Sequence, residues 1–265
     1  MIRSHFGLEL NPFDDREPVL LAHQRDIFET IRVHARQGGL CVIMGEPGTG
    51  KSVIKQAIIN HDPKRMITPA IARTLHTYSN TLQILCEAFG IEENGRDTRR
   101  EKLLIEAGWK VNHEGKMLVP IIDDAHLMDV ECLRKLRLLF EDFPKSHNLV
   151  LIAQPSLMHK LRLTVNEDIR GRITYSVTVP RLNPDDIKAF LFAQLDRVKL
   201  GHNAFSDDAV ELIVRSSEGI LRRTRNLCIS AMLETVRDRK QVVGLDQVNR
   251  VLMQPHWRKD HDLSS

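Results

Sequence analysis

Eight residues, Gly45-Glu46-Pro47-Gly48-Thr49-Gly50-Lys51-Ser52, constrain this chain more than any other stretch of it. They fit the pattern G-x-x-x-x-G-K-[ST] at every required position. An apolar run, Leu40–Met44, precedes them, and a segment with helical spacing, Ser52–Asn60, follows. Placed between a strand and a helix, such glycines let successive backbone N–H groups turn toward a phosphate at the positive end of the helix. In that pattern Lys51 reaches the β- and γ-phosphates of a nucleotide and the Ser52 hydroxyl ligates Mg2+.

The rest of the first 180 residues alternates in the same manner. Met66–Ala72, Met117–Ile122, Leu149–Ala153 and Ile173–Val179 read as further strands. Leu82–Phe89, Arg99–Val111 and Val130–Glu141 read as helices between them. Strand and helix in this rhythm predict a parallel α/β sheet covered on both faces. The pattern changes at Pro180-Arg181-Leu182-Asn183-Pro184. There Asn183 suits an N-cap, Pro184 the first helical position, and Asp185 and Asp186 the helix dipole. Ser206 opens a second helix, Ile229, Met232, Leu233 and Val236 mark a third, and Val248, Val251 and Leu252 a fourth. The expected division is an α/β domain over 1–180 with its amino-terminal segment, a small all-helical domain over 181–253, and a loose polar tail over 254–265.

A phosphate loop needs a carboxylate for its metal at the end of a neighbouring strand. Leu118-Val119-Pro120-Ile121-Ile122-Asp123-Asp124 supplies one. Asp123 is the candidate for Mg2+, and Asp124 is placed to polarise an attacking water. An acidic turn capping the next helix is the competing reading, but Asp129 suits that cap better.

Other classes drop out. No apolar run approaches the ~18 residues that a membrane span needs, and the start, Met1-Ile2-Arg3-Ser4-His5-Phe6, has no apolar core for a secretion signal. Cys41, Cys86, Cys132 and Cys228 form no Cys-x-x-Cys. They read as buried apolar residues in a reducing compartment, and the expected location is cytoplasmic. Thirty-eight Lys and Arg against 35 Asp and Glu give a net charge of +3, which permits nucleic-acid binding without demanding it.

The order of the phosphate loop, Asp123-Asp124-Ala125-His126, Leu149–Gln154, Arg170-Gly171-Arg172-Ile173 and Gly219-Ile220-Leu221-Arg222 resembles an AAA+ ATPase. More narrowly, it resembles the ExeA/TnsC-like bacterial branch related to origin-recognition ATPases. Phe6-Gly7-Leu8, Asn11-Pro12-Phe13 and Leu21-Ala22-His23-Gln24 are similar to that branch's amino-terminal segment. The resemblance covers residues 3 to about 253 and implies a parallel-sheet P-loop NTPase domain followed by a helical lid.

It also implies an ATP-dependent homo-oligomer with ATP and Mg2+ as ligands. Gln154 resembles the polar sensor that orients water, and Arg172 the finger reaching a neighbouring subunit's nucleotide, with Arg170 as second choice. Arg222 resembles the lid arginine, and Asn11, Phe13 and Gln24 lie near the adenine by the same likeness. The competing readings are a strand-end loop residue for Gln154, solvated surface charges for Arg170 and Arg172, and a phosphate-backbone contact for the basic string at Arg222. For Asn11, Phe13 and Gln24 it is ordinary packing.

Two departures stand out. Asp124 replaces the usual Glu and is one methylene shorter, and Leu221 replaces the usual Pro before the lid arginine.

For function, the resemblance implies an ATP-hydrolysing regulator that assembles on duplex DNA and recruits or activates a transposase. Lys64, Arg65, Arg73, Arg99, Arg100 and Lys102 are candidates for phosphate contacts. The alternatives are an ATPase supporting a secretion or envelope assembly through protein partners, and a nucleotide-dependent adaptor that barely hydrolyses. No membrane insertion is expected.

Overall fold

The computed structural model describes residues 1–13, 20–71, 77–93 and 95–257. Contacts divide the chain into two compact units: Val19–Glu46 with Gly50–Val179, and Met1–Pro18 with Pro47–Thr49 and Pro180–Ser265. The elements run α1 (Ile2–Phe6), α2 (Ala22–Gln37), β1 (Gly39–Met44), α3 (Lys51–His61), β2 (Met66–Ile67), β3 (Ala70–Ile71), α4 (Tyr78–Ala88) and α5 (Asp97–His113). They continue with β4 (Met117–Leu118), β5 (Ile121–Ile122), α6 (Val130–Glu141), β6 (Asn148–Ala153), α7 (Ser156–Leu161), α8 (Glu167–Arg170) and β7 (Ile173–Thr178). The last helices are α9 (Pro184–Arg197), α10 (Asp207–Ser217), α11 (Leu221–Arg237) and α12 (Leu245–Leu252).

The larger unit is the expected parallel α/β sheet. Five strands pair in the order β3-β5-β6-β1-β7, all parallel. Strands β1 and β6 are apolar on both faces because helices cover both. One face buries Leu40, Val42 and Met44 with Leu133 and Leu136 of α6. The other buries Cys41 and Ile43 with Ile27 and Ile31 of α2 and Ile54 and Ile58 of α3.

Two of the expected strands are each broken in the middle, and proline is the cause. Residues 117, 119, 121 and 123 donate their N–H groups in turn to the carbonyls of 65, 67, 69 and 71. The return bond from residue 69 is missing, because Pro69 has no N–H. Hence β2 pairs with β4 and β3 with β5 as separate short ladders. Ala72, the expected end of that strand, lies outside the described residues. Helix α2, with Ile27 and Ile31 one turn apart on its buried side, is an element that sequence reasoning passed over.

Strand β1 enters between β6 and β7 through two glycines. Gly38 has φ +77, and a Cβ there would lie 1.6 Å from the Lys145 carbonyl oxygen. Gly39 has φ +126, and a Cβ there would lie 2.4 Å from Cγ2 of Thr174. Only glycine fits so close an approach at positive φ.

The smaller unit is helical. Asn183 caps α9 by accepting the Asp186 N–H at 2.7 Å, and Ser206 caps α10 by accepting that of Ala209 at 3.3 Å. Its core joins Leu191, Ile213, Leu227, Met232 and Val248. Ile2 and Phe13 are buried in that same core. Arg197 donates to the carbonyls of Asn11 and Pro12 at 3.3 and 2.8 Å. The amino-terminal residues therefore pack with the helices, where sequence reasoning set them with the sheet. The tail expectation also needs correction at its start: Pro255–Trp257 form a 3-10 turn, and the Trp257 side chain is buried in the helical core. An indole has too much apolar surface to stay in water when a core lies within reach.

All four cysteines are free and buried. Among the described residues no helix is long and apolar enough to cross a membrane.

The two entry glycines give a stability test. Gly115 also has positive φ, +73, but nothing lies within 4 Å of a Cβ built there. Gly115→Ala should cost about 1 kcal/mol in chemical denaturation, the strain of the conformation alone. Gly38→Ala should cost several times that or prevent folding, because strand entry is blocked.

Candidate nucleotide site

The site forms where β1 ends. Gly45 donates its N–H to the Ala153 carbonyl at 3.2 Å, so the loop leaves the sheet tied to the end of β6. Gly48 (φ +86) and Gly50 (φ +99) turn the backbone through the left-handed region, and Gly50 is the N-cap of α3. Gly50 is fixed by the pattern and Gly48 stands at one of its free positions, and together they let α3 start abruptly with its N–H groups directed outward.

Lys51 and Ser52 occupy the first turn of α3. The Lys51 ammonium curls back over the loop and donates to the carbonyls of Gly45 at 2.7 Å and Glu46 at 2.8 Å. The Ser52 side chain is exposed, while Thr49 is buried. In the helical unit, with which Pro47–Thr49 are grouped, Arg222 donates its backbone N–H to the Gly48 carbonyl at 3.1 Å. A Cβ at Gly48 would lie 2.9 Å from both Cβ of Arg222 and Cγ2 of Ile220. Gly48 is thus fixed by two demands at once, its φ and this approach.

Asp123 follows β5 and is half-buried. One carboxylate oxygen, Oδ1, accepts the Asp124 N–H at 3.0 Å. The other, Oδ2, accepts from the Lys55 ammonium at 2.6 Å, with both side chains about a quarter exposed (23% and 26%). Lys55 is a site residue that sequence reasoning missed. The only signal available was its place on α3, one turn beyond Lys51 and three residues beyond Ser52.

Asp124 sits at φ +51, in the left-handed region that Asp and Asn tolerate better than longer side chains. Its carboxylate makes no hydrogen bond or ion pair among the described residues. Two residues on, His126 is buried, and burial pushes its imidazole below the ordinary histidine range. It is therefore neutral at pH 7, and Nδ1 accepts the backbone N–H of Gln154 at 3.4 Å. Lys160 donates to the His126 carbonyl at 2.7 Å. One histidine, also absent from the sequence reading as a site residue, so ties the Asp123-Asp124 turn to the end of β6.

The remaining candidates fall as follows. Arg172 is exposed and pairs with Glu141 at 3.0 Å, and Arg170 pairs with Glu167 at 3.3 Å. Gln24 is buried, and its Oε1 accepts the Leu21 N–H at 3.0 Å while its Nε2 has no partner among the described residues. The buried Oδ1 of Asn11 also lacks a partner among the described residues. Phe13 contributes to the helical core.

Of the cations considered for phosphate contacts, Lys64 and Arg65 are exposed, and Arg73 lies outside the described residues. Arg99 pairs with Glu93 at 2.9 Å, Arg100 with Asp97 at 3.2 Å and Lys102 with Glu106 at 4.0 Å.

The donor set fits Mg2+ carried by a nucleotide. Among the described residues no group of three or more His, Cys, Asp or Glu side chains could hold a metal without help. Mg2+ does not require such a cage, since it is held by one or two protein oxygens together with substrate phosphates and waters. Ser52, at the start of α3, and Asp123, after β5, are the side chains that could offer such oxygens.

Comparison with known proteins gives the following likenesses. Residues 33–161 match the family described as AAA domain. The chain is 28% identical over 206 residues to general secretion pathway protein A of Aeromonas hydrophila, covering 74% of this chain and 37% of that protein. It thus spans little more than a third of that relative's length. Among solved structures, the Aeropyrum pernix ORC2 protein, in ADPNP-ADP complexes, aligns with a TM-score of 0.73 at 15% identity over 95% of this chain and 73% of its own. The Aeropyrum pernix ORC1 protein in complex with DNA aligns with a TM-score of 0.65 at 16% identity, over 93% of this chain and 68% of its own. The fold is thus shared with these ORC proteins and with the Cdc6p of Pyrobaculum aerophilum.

Asp124 can be tested separately from its turn. Asn is equally tolerated at positive φ, so Asp124→Asn removes the charge and leaves the backbone in place. The expected outcome is unchanged ATP affinity with steady-state phosphate release lowered about 100-fold or more, the usual worth of a positioned base.

Proposed function

We propose, for a chain that carries an AAA+ domain of the ORC-related, ExeA-like kind, that it binds ATP with Mg2+, hydrolyses it, and assembles with itself in the ATP-bound state. The observation that carries this reading is the Lys51 ammonium, set across the mouth of a glycine loop at the start of α3. Bound phosphates would exchange those two contacts with neutral carbonyls for contacts with negatively charged oxygens. Ser52 and Asp123 are assigned to the metal, which when bound neutralises charge on the β- and γ-phosphates.

Asp124 is assigned to the attacking water. Gln154, whose backbone is held by His126, is assigned to its orientation. Arg222 is the candidate for contact with the γ-phosphate in its own subunit. Arg172 is the candidate finger for a neighbour, and its exposure leaves it accessible to one. By the same likeness, Asn11, Phe13 and Gln24 are the candidates for the adenine.

On purpose, the proposal is that ATP-bound assemblies form on duplex DNA and recruit or activate a transposase. The DNA complex of the Aeropyrum pernix ORC1 protein supports the DNA part. The net charge of +3 agrees with a salt-sensitive, sequence-tolerant contact. With Arg99, Arg100 and Lys102 held in ion pairs, Lys64 and Arg65 are the first candidates. A second reading, an ATPase supporting a secretion or envelope assembly, is favoured by the likeness to general secretion pathway protein A.

Binding to random duplex DNA decides between them. The first reading expects ATP-dependent binding that weakens steeply as salt rises. No DNA binding at low salt, in protein that releases phosphate, favours the second.

The subunit contact has its own test. Arg172→Ala should bind ATP and Lys51→Ala should not, each with little turnover of its own. Mixed, the two should recover activity, because a Lys51→Ala subunit still offers its finger to an Arg172→Ala neighbour. Such fingers are worth ~10³-fold or more in other NTPases. No recovery at any ratio, in oligomers shown to mix, removes Arg172 from a trans role.

A further inference from the structure

The Lys55–Asp123 pair has no place in the reaction as assigned above, yet it occupies the carboxylate on which that reaction depends. Lys55 lies at i+4 from Lys51 and i+3 from Ser52, so all three side chains share one face of α3. Lys51 is drawn to the loop carbonyls, while Lys55, one turn along, reaches Asp123 Oδ2 at 2.6 Å. Asp123 Oδ1 already accepts the Asp124 N–H. Both oxygens of the carboxylate are therefore engaged, one of them by a full positive charge.

A dication arriving at Ser52 and Asp123 would meet the Lys55 ammonium at the same oxygen, with Lys51 on the same helix face. The cations repel, and the carboxylate satisfies one fully only at the expense of the other. A lysine suits this role because its ammonium is a compact point charge on a flexible stem, able to swing away without moving the backbone.

We infer that Lys55 competes with Mg2+ for Asp123 and so sets the metal concentration at which this site holds a metal–nucleotide complex. The inference rests on the assignment of Asp123 to the metal. It makes Lys55 a positioning residue: it acts through Asp123 and needs no contact with the nucleotide.

The test is equilibrium binding of a fluorescent ATP analogue as a function of free Mg2+. It is run on the wild-type chain, Lys55→Met, Lys55→Gln and Lys55→Arg, each shown to be folded by circular dichroism. Removing the charge should lower the Mg2+ concentration for half-maximal binding roughly tenfold in both Lys55→Met and Lys55→Gln, the low end of what one neighbouring charge does to the occupancy of a carboxylate. Lys55→Arg keeps the charge and should stay close to wild type. An unchanged or raised Mg2+ requirement in both neutral variants overturns the competition, as Lys55 would then be neutral toward the metal or assist it. Wild-type binding that does not depend on Mg2+ overturns the metal assignment of Asp123 and the competition with it. The two failures are distinguishable because only the second appears in the wild-type curve.

Discussion

The two parallel ladders that β1 makes, one with β6 and one with β7, are the constraint on which the rest of the site depends. Gly39–Met44 pair residue for residue with Asn148–Ala153, and Leu40–Met44 pair with β7 on the other side. Because the strands are parallel, their carboxyl ends come out on one edge of the sheet. The phosphate loop, the Asp123-Asp124 turn and Gln154 therefore emerge side by side although they lie far apart in sequence. Neither ladder forms unless β1 slides between its neighbours, and Gly38 and Gly39 are the residues that allow it. A packing requirement at the amino end of one strand thus governs the geometry at its carboxyl end.

At that edge both ammonium groups already have partners. The Lys51 ammonium is held on backbone carbonyls and the Lys55 ammonium on Asp123. Burial keeps His126 neutral, so it links the Asp123-Asp124 turn to β6 by a hydrogen bond without adding a charge. On the proposed function, a triphosphate with its metal would bring both signs to this surface. The existing pairs are the contacts it would have to replace, and Lys51 and Lys55 are long enough to change partners.

Local features of the fold were legible in the sequence. Helix α6 begins and ends where its pattern and the Asp129 cap predict. The cap of α9 at Asn183 and that of α10 at Ser206 follow from their side-chain chemistry. Features that depend on residues distant in sequence were not legible. The split at Pro69 depends on which neighbour its missing N–H would have faced. The burial of Phe13 and Trp257 with the helices depends on tertiary packing that no local pattern encodes. At the site, the loop motif carries its own signature, but the Lys55–Asp123 pair spans 68 positions and appears only once the sheet has brought its strands into order.

A crystal structure of the protein with Mg2+ and a non-hydrolysable ATP analogue tests the central claim most directly. The account predicts the Lys51 ammonium on the β- and γ-phosphates and off the carbonyls of Gly45 and Glu46. It also predicts the metal on the Ser52 hydroxyl with Asp123 in its coordination sphere, directly or through water. A nucleotide bound elsewhere, or one bound in the loop with Lys51 still on its own carbonyls and the metal held by neither Ser52 nor Asp123, would contradict it.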